Sequence, residues 1–310
     1  MKNNVSIIII TKNREKLLKR TIKSLKNQDY DGKYEIIVVD SSGKTTPLEG
    51  VKYIYDKNAN IPTARNIGIK NSKYDLVSFI DDDCIASRNW LNELVKSIDK
   101  NAGVGSAVFP TKTNKIGKAV SFIGFPGGGL SRYHNSKGKL LKIKRISTCG
   151  CLFKKNIIQK VGFFNENYVY GDEDSELSDR IISHGHNLIY SPKSIVYHKP
   201  REDLKSIFKW FFRRGIAIVY LKNRKDKFKQ LFLPFRSALL SRILILVFLV
   251  YFLRLYGLLV FSIFLVLYFI RKMFKHKGYV KELGVLFLIP IIELTMETAK
   301  GIGKICGIFK

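Results

Sequence analysis

The chain has 310 residues, and its 54 lysines and arginines against 25 aspartates and glutamates give a formal net charge of +29. The length allows one large or two modest domains, while four irregularly spaced cysteines exclude a disulfide-stabilised scaffold and fit a reducing compartment. Basic stretches can attract nucleic acid, anionic lipid headgroups or phosphorylated substrates, although a lysine-rich proteome would account for part of the charge.

The N-terminal part of the chain alternates apolar runs with segments of helical periodicity. Strands that alternate with helices form a parallel sheet covered on both faces, so the pattern predicts an α/β fold with a mostly parallel sheet. The predicted strands are residues 5–10, 35–39, 51–55 and 76–80, and the predicted helices between them are residues 15–26 and 61–70.

Polar side chains stand where these predicted strands end. Thr11 and Asp40 each follow one strand, and Asp81, Asp82 and Asp83 follow another. Ligands of open parallel sheets bind at the carboxyl ends of the strands. Neighbouring carboxylates resist joint ionisation unless a cation or a ring of donors holds them, and Mg²⁺ is commonly held by one or two carboxylates plus substrate phosphates. The pattern favours a metal and phosphate site; the alternative is a solvated loop that caps the next helix.

Two further residues are candidates for this edge. Arg65, in the predicted helix 61–70, can face the aspartates and pair either with Asp40 or with a diphosphate, and a surface ion pair is the alternative. Gly150 lies in a short apolar strand, residues 147–153, where its missing side chain would let a ligand approach the backbone or would mark a bulge.

A second acidic group opens a predicted helix that runs to about His184. Acids in a first helical turn suit the helix dipole, so capping is one interpretation, and a general base that takes a proton from an acceptor hydroxyl is the other. His198, after the strand-like residues 194–197, is either a metal ligand or a structural histidine. The acids of this group are Asp172, Glu173, Asp174 and Glu176.

The C-terminal part of the chain is strongly apolar. Residues 243–270 are too long for one upright membrane helix and short for two. If the chain turns near residues 254–257, the basic cluster after residue 270 lies on the same side of the membrane as the basic N-terminal domain. Positive segments tend to lie on the inner side, so we predict a fully spanning or re-entrant hairpin. Residues 283–296 suit an interfacial or partly inserted helix. No cleavable signal is predicted, because a strand pattern begins directly after Asn4.

Five segments stand in a characteristic order: VSIIIITKNREKLLKRTIKSL, YEIIVVDSS, ARNIGIKNSKYDLVSFIDDDC, CGCLFKKNIIQKVGFFNE and GDEDSELSDRI. Together they resemble family 2 glycosyltransferases of the GT-A fold, and the resemblance runs from Val5 to about Leu221. It implies a Rossmann-like domain with helices on both faces of the sheet, a UDP-sugar or GDP-sugar donor, and Mg²⁺ or Mn²⁺ as cofactor.

The resemblance also implies roles for single residues. Thr11 and Asp40 would line the nucleotide pocket, with Asp40 reading the base. Asp81 and Asp83 would form the DxD element, in which Asp83 binds the metal and Asp81 lies near it and the ribose. His198 would be a further metal ligand. The remaining nucleotide-sugar contacts would come from Arg65, Asp82, Gly150, Arg213 and Arg214.

The same resemblance assigns catalysis to Glu173 and Asp174. This pair is similar to the family's ED motif, in which Asp174 would be the base. One base and one metal suffice for a single in-line displacement, which inverts the anomeric centre. The processive synthases carry a QxxRW motif, whereas this chain has KWFFRRG, so a processive polymer synthase is not expected.

The predicted domain organisation follows. Residues 1–221 form the catalytic domain, with a nucleotide-binding half of about 1–110 and an acceptor half of about 111–221. Residues 222–236 form a basic juxtamembrane linker, 237–270 the apolar hairpin, and 271–310 a basic loop with an interfacial helix. A hairpin after such a domain implies a cell-membrane enzyme with its catalytic domain on the cytoplasmic side.

Three functions remain open from the sequence. The first is transfer of a sugar to a membrane-associated acceptor, such as a lipid-linked glycan, a glycolipid or a polysaccharide precursor. The second is synthesis of a polyprenyl-phosphate monosaccharide. The third is a non-catalytic basic membrane protein that gathers anionic partners; carboxylates at a cleft disfavour it, so nucleic acid is not an expected partner.

Overall fold

The computed structural model describes residues 3–43, 48–220 and 238–309. Two compact units divide the chain: Met1–Lys112 with Gly124–Pro200, and Thr113–Ile123 with Arg201–Lys310. The predicted domain end at Leu221 and the predicted linker 222–236 lie outside the described residues.

The helices and strands of the first unit lie in an alternating order. They are β1 (Val5–Thr11), α1 (Glu15–Lys26), β2 (Tyr34–Asp40), β3 (Lys52–Tyr55), α2 (Ile61–Lys70), β4 (Leu76–Ile80), β5 (Cys84–Ala86), α3 (Trp90–Ile98) and β6 (Gly103–Pro110). After α4 (Lys115–Ile123), which belongs to the second unit, follow α5 (Gly129–Ser136), β7 (Leu141–Ile143), β8 (Gly150–Lys154), α6 (Lys155–Lys160), α7 (Glu173–Ser183) and β9 (Leu188–His198). The strands and helices predicted in the N-terminal part are confirmed.

The central sheet is mixed rather than mostly parallel. Its order is β3-β2-β1-β4-β8-β6-β9-β5, with β7 paired to β9. The first four strands in this order are parallel to one another, as predicted. Beyond β4 only the pair of β6 and β9 is parallel among the described strands; elsewhere the prediction is wrong, since β8 is antiparallel to β4 and to β6, and β5 and β7 are antiparallel to β9. The direction of these strands depends on the side of the sheet at which the long connections between them re-enter it, and local sequence does not encode this.

Apolar layers cover both faces of this sheet. Along β1, Ile7 and Ile9 pack with α1 and α3 on one face, while Ile8 packs on the other face with α2, α6 and α7. All three side chains are buried. A strand that is buried on both faces has no polar alternation, which explains the continuous apolar runs in the sequence.

Helix α2 lies unusually close to β1. A side chain at Gly68 would collide with Ile8 of the strand, so the glycine permits the contact. The helix begins where the side chain of Asn60 accepts a hydrogen bond from the backbone N–H of Thr63 at 3.0 Å. These two constraints fix the rotation of α2, and they turn Arg65 into the protein, where it is 5% exposed.

The second unit contains α4, α8 (Leu204–Tyr220), α9 (Ala238–Lys277) and α10 (Leu283–Ile308). Gly215 of α8 and Gly303 of α10 lie at a close helix crossing, because a side chain on either would collide with the backbone of the other helix. The predicted turn near residues 254–257 is wrong, since α9 continues through them. One glycine costs an apolar helix only about 1 kcal/mol, too little to force a turn.

Within the described part of the chain, no helix is both long enough and apolar enough to cross a membrane. The predicted membrane hairpin is therefore not confirmed. The helix predicted over residues 283–296 is present and extends further, to Ile308.

Candidate functional site

The polar ends of three parallel strands meet at one edge of the sheet. Thr11 pairs with Asp40 in the register of β1 and β2, and β4, the other neighbour of β1, is followed directly by Asp81, Asp82 and Asp83. The predicted convergence of these residues is confirmed. It results from the parallel pairing, which brings the carboxyl ends of β1, β2 and β4 to the same side.

Asp82 is the inward-facing member of the aspartate triplet. It is 5% exposed; its Oδ2 accepts a hydrogen bond from Thr11 Oγ1 at 2.7 Å and its Oδ1 accepts one from Arg14 Nη1 at 3.1 Å. Thr21 of α1 donates to the carbonyl oxygens of Asp82 and Cys84 at 2.8 and 2.7 Å. Because Thr11 and Arg14 each pair with one of its oxygens, Asp82 holds the turn in place, and its predicted contact with the nucleotide stays a prediction.

The other two aspartates form a group of possible metal ligands. Asp81, Asp83 and Cys84 each offer a ligand atom, and these atoms lie within 4.8 Å of one another. His198 Nε2 lies 3.6 Å from Asp83 Oδ1, since Cys84 and His198 are paired residues of β5 and β9. Carboxylate oxygens suit Mg²⁺ and Mn²⁺, and an imidazole nitrogen is a better ligand for Mn²⁺ than for Mg²⁺. The donor set therefore fits a divalent cation.

The electrostatics of this group also favour a cation. Loss of solvation and the negative charge of Asp83 raise the pKa of Asp81 to about 7, even though the positive charge of Arg65 opposes the shift. Full ionisation of the aspartates is therefore unfavourable without a further positive charge. A divalent cation would relieve this repulsion.

Arg65 links the aspartates to the second acidic group. Its Nη1 donates a short hydrogen bond to Glu173 Oε1, and its Nη2 lies 4.0 Å from Asp81 Oδ1. Glu173 is 6% exposed, and the Arg65 guanidinium stacks 5.4 Å from the centre of the Phe164 ring. Burial lowers the pKa of Arg65, but Glu173 and Asp81 outweigh it, so the pKa is raised and the guanidinium stays charged.

Arg65 was predicted to pair with Asp40 or with a diphosphate. The predicted pair with Asp40 is wrong, because Arg65 pairs with Glu173. Asp40 Oδ1 accepts hydrogen bonds from the backbone N–H of Ser42 at 2.8 Å and from its hydroxyl, and Oδ2 accepts one from Tyr53. These partners follow β2 or lie in β3, on the far side of β1 from the aspartates. The actual partner of Arg65 comes from a helix 108 residues away in the sequence.

Asp174 stands in the first turn of α7, beside Glu173. The turn into this helix needs left-handed backbone, with φ of 105° at Gly171 and 73° at Asp172. The Asp174 carboxylate accepts the backbone N–H of Ser175 at 2.7 Å. Asp174 follows Glu173 directly, and Arg65 joins Glu173 to Asp81, so the first turn of α7 lies near the predicted DxD element.

A cavity of about 460 Å³ opens beside the ends of β1 and β2. Its volume is in the range of small-molecule sites. Thr11 and Asp40 line it, as predicted for a nucleotide pocket, but other lining residues were missed. These are Asn13, Arg14, Glu15, Leu18, Ser42 and Gly43. Asn13, Arg14, Ser42 and Gly43 each follow a predicted strand within four residues, which is the signal that could have identified them.

Two sequence predictions concern residues with other surroundings. A side chain on Gly150 would lie 2.9 Å from Val196 and 3.3 Å from Ser106, so strand packing requires the glycine, while the predicted approach of a ligand there stays a prediction. Arg213 and Arg214 lie on α8 in the second unit, where the Arg214 guanidinium is 5.6 Å from the centre of the Trp210 ring. Their predicted contact with the diphosphate stays a prediction.

Comparison with known proteins gives consistent matches. Residues 6–162 match the model of the family described as Glycosyl transferase family 2. Glycosyltransferase AglE of Haloferax volcanii is 25% identical over 230 residues, which cover 68% of this chain and 71% of the relative. A dolichyl N-acetyl-alpha-D-glucosaminyl phosphate 3-beta-D-2,3-diacetamido-2,3-dideoxy-beta-D-glucuronosyltransferase of Methanococcus voltae is 26% identical, over 75% of this chain and 78% of the relative. The chain spans less than half the length of several other relatives.

Among solved structures, the mannosyltransferase PcManGT of Pyrobaculum calidifontis, in complex with GDP-Man and Mn²⁺, matches with a TM-score of 0.58. The match covers 100% of this chain and 88% of the other at 16% identity. Such a likeness shows a shared fold, and it agrees with the GT-A fold that the sequence resemblance implied.

The buried pair Arg65 and Glu173 leads to a stability prediction. Arg65→Met would leave Glu173 charged, buried and unpaired, so we expect the free energy of unfolding in urea to fall by about 3–5 kcal/mol. The double variant Arg65→Met/Glu173→Leu removes both charges and is expected to recover most of that loss. Arg145→Met breaks an exposed pair with Asp179 and serves as control, with an expected loss under about 1 kcal/mol. A double variant as unstable as the single one would contradict this account.

Proposed function

Because the chain belongs to glycosyl transferase family 2, we propose that it transfers a sugar, with inversion, from a nucleoside-diphosphate sugar to a lipid-linked acceptor at the membrane surface. The observation that carries the proposal is the convergence of the DxD aspartates and the first turn of α7 at one edge of the sheet, joined by Arg65. This arrangement supports a donor site and a base at the same edge.

The cavity is the proposed site of the donor nucleoside. It is lined by Thr11 and Asp40 and lies next to the metal-ligand group through Arg14, which contacts both. The structural relative binds a GDP-sugar together with Mn²⁺. We therefore propose a UDP-sugar or GDP-sugar as donor, held through a divalent cation at Asp81 and Asp83 with His198 beside them.

In the proposed reaction, the acceptor oxygen bonds to the anomeric carbon while the bond to the diphosphate oxygen breaks. Asp174 takes the proton that the acceptor oxygen loses, and the nucleoside diphosphate leaves with the electron pair. The cation, when bound, neutralises charge that grows on the leaving diphosphate. Arg65 holds Glu173 and so fixes the first turn of α7, which makes Glu173 a positioning residue beside the base. A single displacement inverts the anomeric centre.

A membrane location is proposed from the second unit. Large apolar side chains of α9 are exposed, and the end of this helix is basic, with Arg271, Lys272, Lys275 and Lys277. An exposed apolar surface beside basic residues suits an anionic lipid surface. The exposed apolar side chains include Leu258, Leu259, Ile263, Phe264, Val266 and Leu267.

The acceptor and its side of the membrane belong to the same proposal. The relative from Methanococcus voltae acts, by its name, on a dolichyl-phosphate-linked sugar, which supports a lipid-linked acceptor. The four cysteines are free thiols, which is compatible with the cytoplasmic side of the cell membrane.

Lipid binding can be tested with vesicles. Leu267→Asp places a charge on the exposed face of α9 and is expected to weaken co-sedimentation with phosphatidylglycerol vesicles by about tenfold. Leu140→Asp is the control, because Leu140 lies in the first unit and is 54% exposed, against 59% for Leu267. This variant should bind the vesicles as the wild type does. Equal loss in both variants, or wild-type protein that stays in the supernatant, would refute the membrane part of the proposal.

The base assignment can be tested by separating binding from chemistry. Asp174→Asn keeps the shape of the side chain but removes its basicity, so we expect the transfer rate to fall by about 10²–10⁴ while affinity for the nucleoside diphosphate changes little. Asp179→Asn, an exposed position of the same helix, is the control and should keep full activity. Parallel loss of binding and transfer in Asp174→Asn would instead assign the residue to donor binding.

The whole proposal depends on a metal-dependent transfer. Purified protein, Mg²⁺ or Mn²⁺, labelled UDP-sugars and GDP-sugars and a lipid extract should yield a labelled lipid product, whose anomeric configuration reports inversion. Excess chelator should abolish it, and Asp83→Asn should lower Mn²⁺ affinity by about tenfold or more, because the variant removes one charged ligand. Turnover that persists in chelator would disprove the metal requirement.

A further inference from the structure

Arg14 occupies a position in the site that neither motif assigns. It is the residue that precedes α1, its side chain makes no capping hydrogen bond, and 53% of that side chain is exposed. Nevertheless its Nη1 donates to Asp82 Oδ1 at 3.1 Å and to Asp83 Oδ2 at 3.2 Å. Burial lowers the pKa of Arg14, and the charges of Asp82 and Asp83 outweigh that effect and raise it.

The two carboxylates depend on Arg14 to different degrees. Asp82 is buried and already accepts a hydrogen bond from Thr11, so its position does not require the guanidinium. Asp83 has 20% of its side chain exposed and belongs to the metal-ligand group. A divalent cation bound to Asp83 would meet the positive charge of Arg14 at the same carboxylate, and two cations this close repel each other.

Arg14 also lines the nucleoside cavity, together with Thr11 and Asp40. Its guanidinium therefore lies between the cavity and Asp83. A diphosphate that joins a nucleoside in the cavity to a cation on Asp83 has to pass this point. The planar fork of a guanidinium suits phosphate oxygens, and the exposed side chain can turn without disturbing the core.

We propose that Arg14 is the exchangeable counter-ion of the metal site. In the free protein it neutralises Asp83; when cation and donor bind, it gives up Asp83 and pairs with the donor diphosphate. This inference rests on the proposed function and deepens it by assigning a residue that couples metal binding to donor binding. The consequence is that the cation binds weakly alone and tightly together with the nucleotide.

The test measures two affinities separately, by electron paramagnetic resonance of free Mn²⁺ and by calorimetry with GDP and UDP. Arg14→Gln removes the competing charge, so Mn²⁺ without nucleotide should bind about five- to tenfold more tightly. The same variant should bind the nucleoside diphosphate in saturating Mn²⁺ about tenfold more weakly, because a charged hydrogen-bond donor is lost. Opposite directions for the two ligands are the specific signature.

Two further variants complete the experiment. Arg14→Lys keeps the charge and should bind Mn²⁺ alone as the wild type does, but should recover nucleotide affinity only in part, because a lysine lacks the fork. Arg20→Gln removes an exposed guanidinium from the same helix and should leave both affinities unchanged.

The outcomes distinguish this inference from the proposed function. Parallel weakening of Mn²⁺ and nucleotide in Arg14→Gln, or no change in either, overturns the counter-ion role while the wild-type binding still supports the function. A wild-type protein that binds neither Mn²⁺ nor GDP nor UDP overturns the proposed function and this inference together. Thermal unfolding of each variant reports whether a loss comes from misfolding.

Discussion

The structure of the candidate site depends on one buried cation, the guanidinium of Arg65. It pairs with Glu173 and approaches Asp81, so it joins two acidic segments that would otherwise repel each other. Both partners of the pair are almost fully buried, and removing either leaves an uncompensated charge in the protein. The pair fixes where α7 begins, and with it the position of Asp174 relative to the aspartates that end β4.

Around this pair, the remaining acidic groups offer a set of ligand atoms that fits a divalent cation. Desolvation and the neighbouring Asp83 raise the pKa of Asp81, and Asp83 itself contacts the half-exposed Arg14 and lies near His198. Asp82, in contrast, is held by Thr11 and keeps the turn rigid. Three adjacent residues of one type thus have two different surroundings: Asp82 is bonded into the protein, while Asp81 and Asp83 belong to the group of possible metal ligands.

The second unit shows how composition can mislead about topology. The long apolar stretch and its flanking lysines favour contact with lipid, and the exposed side chains of α9 retain that implication. The same stretch contains an arginine and a glycine that suggested a turn, yet the helix continues through them. A single glycine costs a helix little free energy, so it does not end a helix whose other residues favour continuation.

The sequence by itself determined the parallel half of the sheet, the elements that cover it and the edge where Thr11, Asp40 and the aspartates meet. Continuous apolar runs and helical apolar patterns are local, and the strand ends of a parallel sheet meet on one side. Only the tertiary structure decided that Arg65 pairs with Glu173 rather than Asp40, that Gly150 accommodates Val196, that β8 runs antiparallel, and that Arg14 reaches Asp83. Each of these depends on residues distant in sequence, whose approach is set by packing and not by any local pattern.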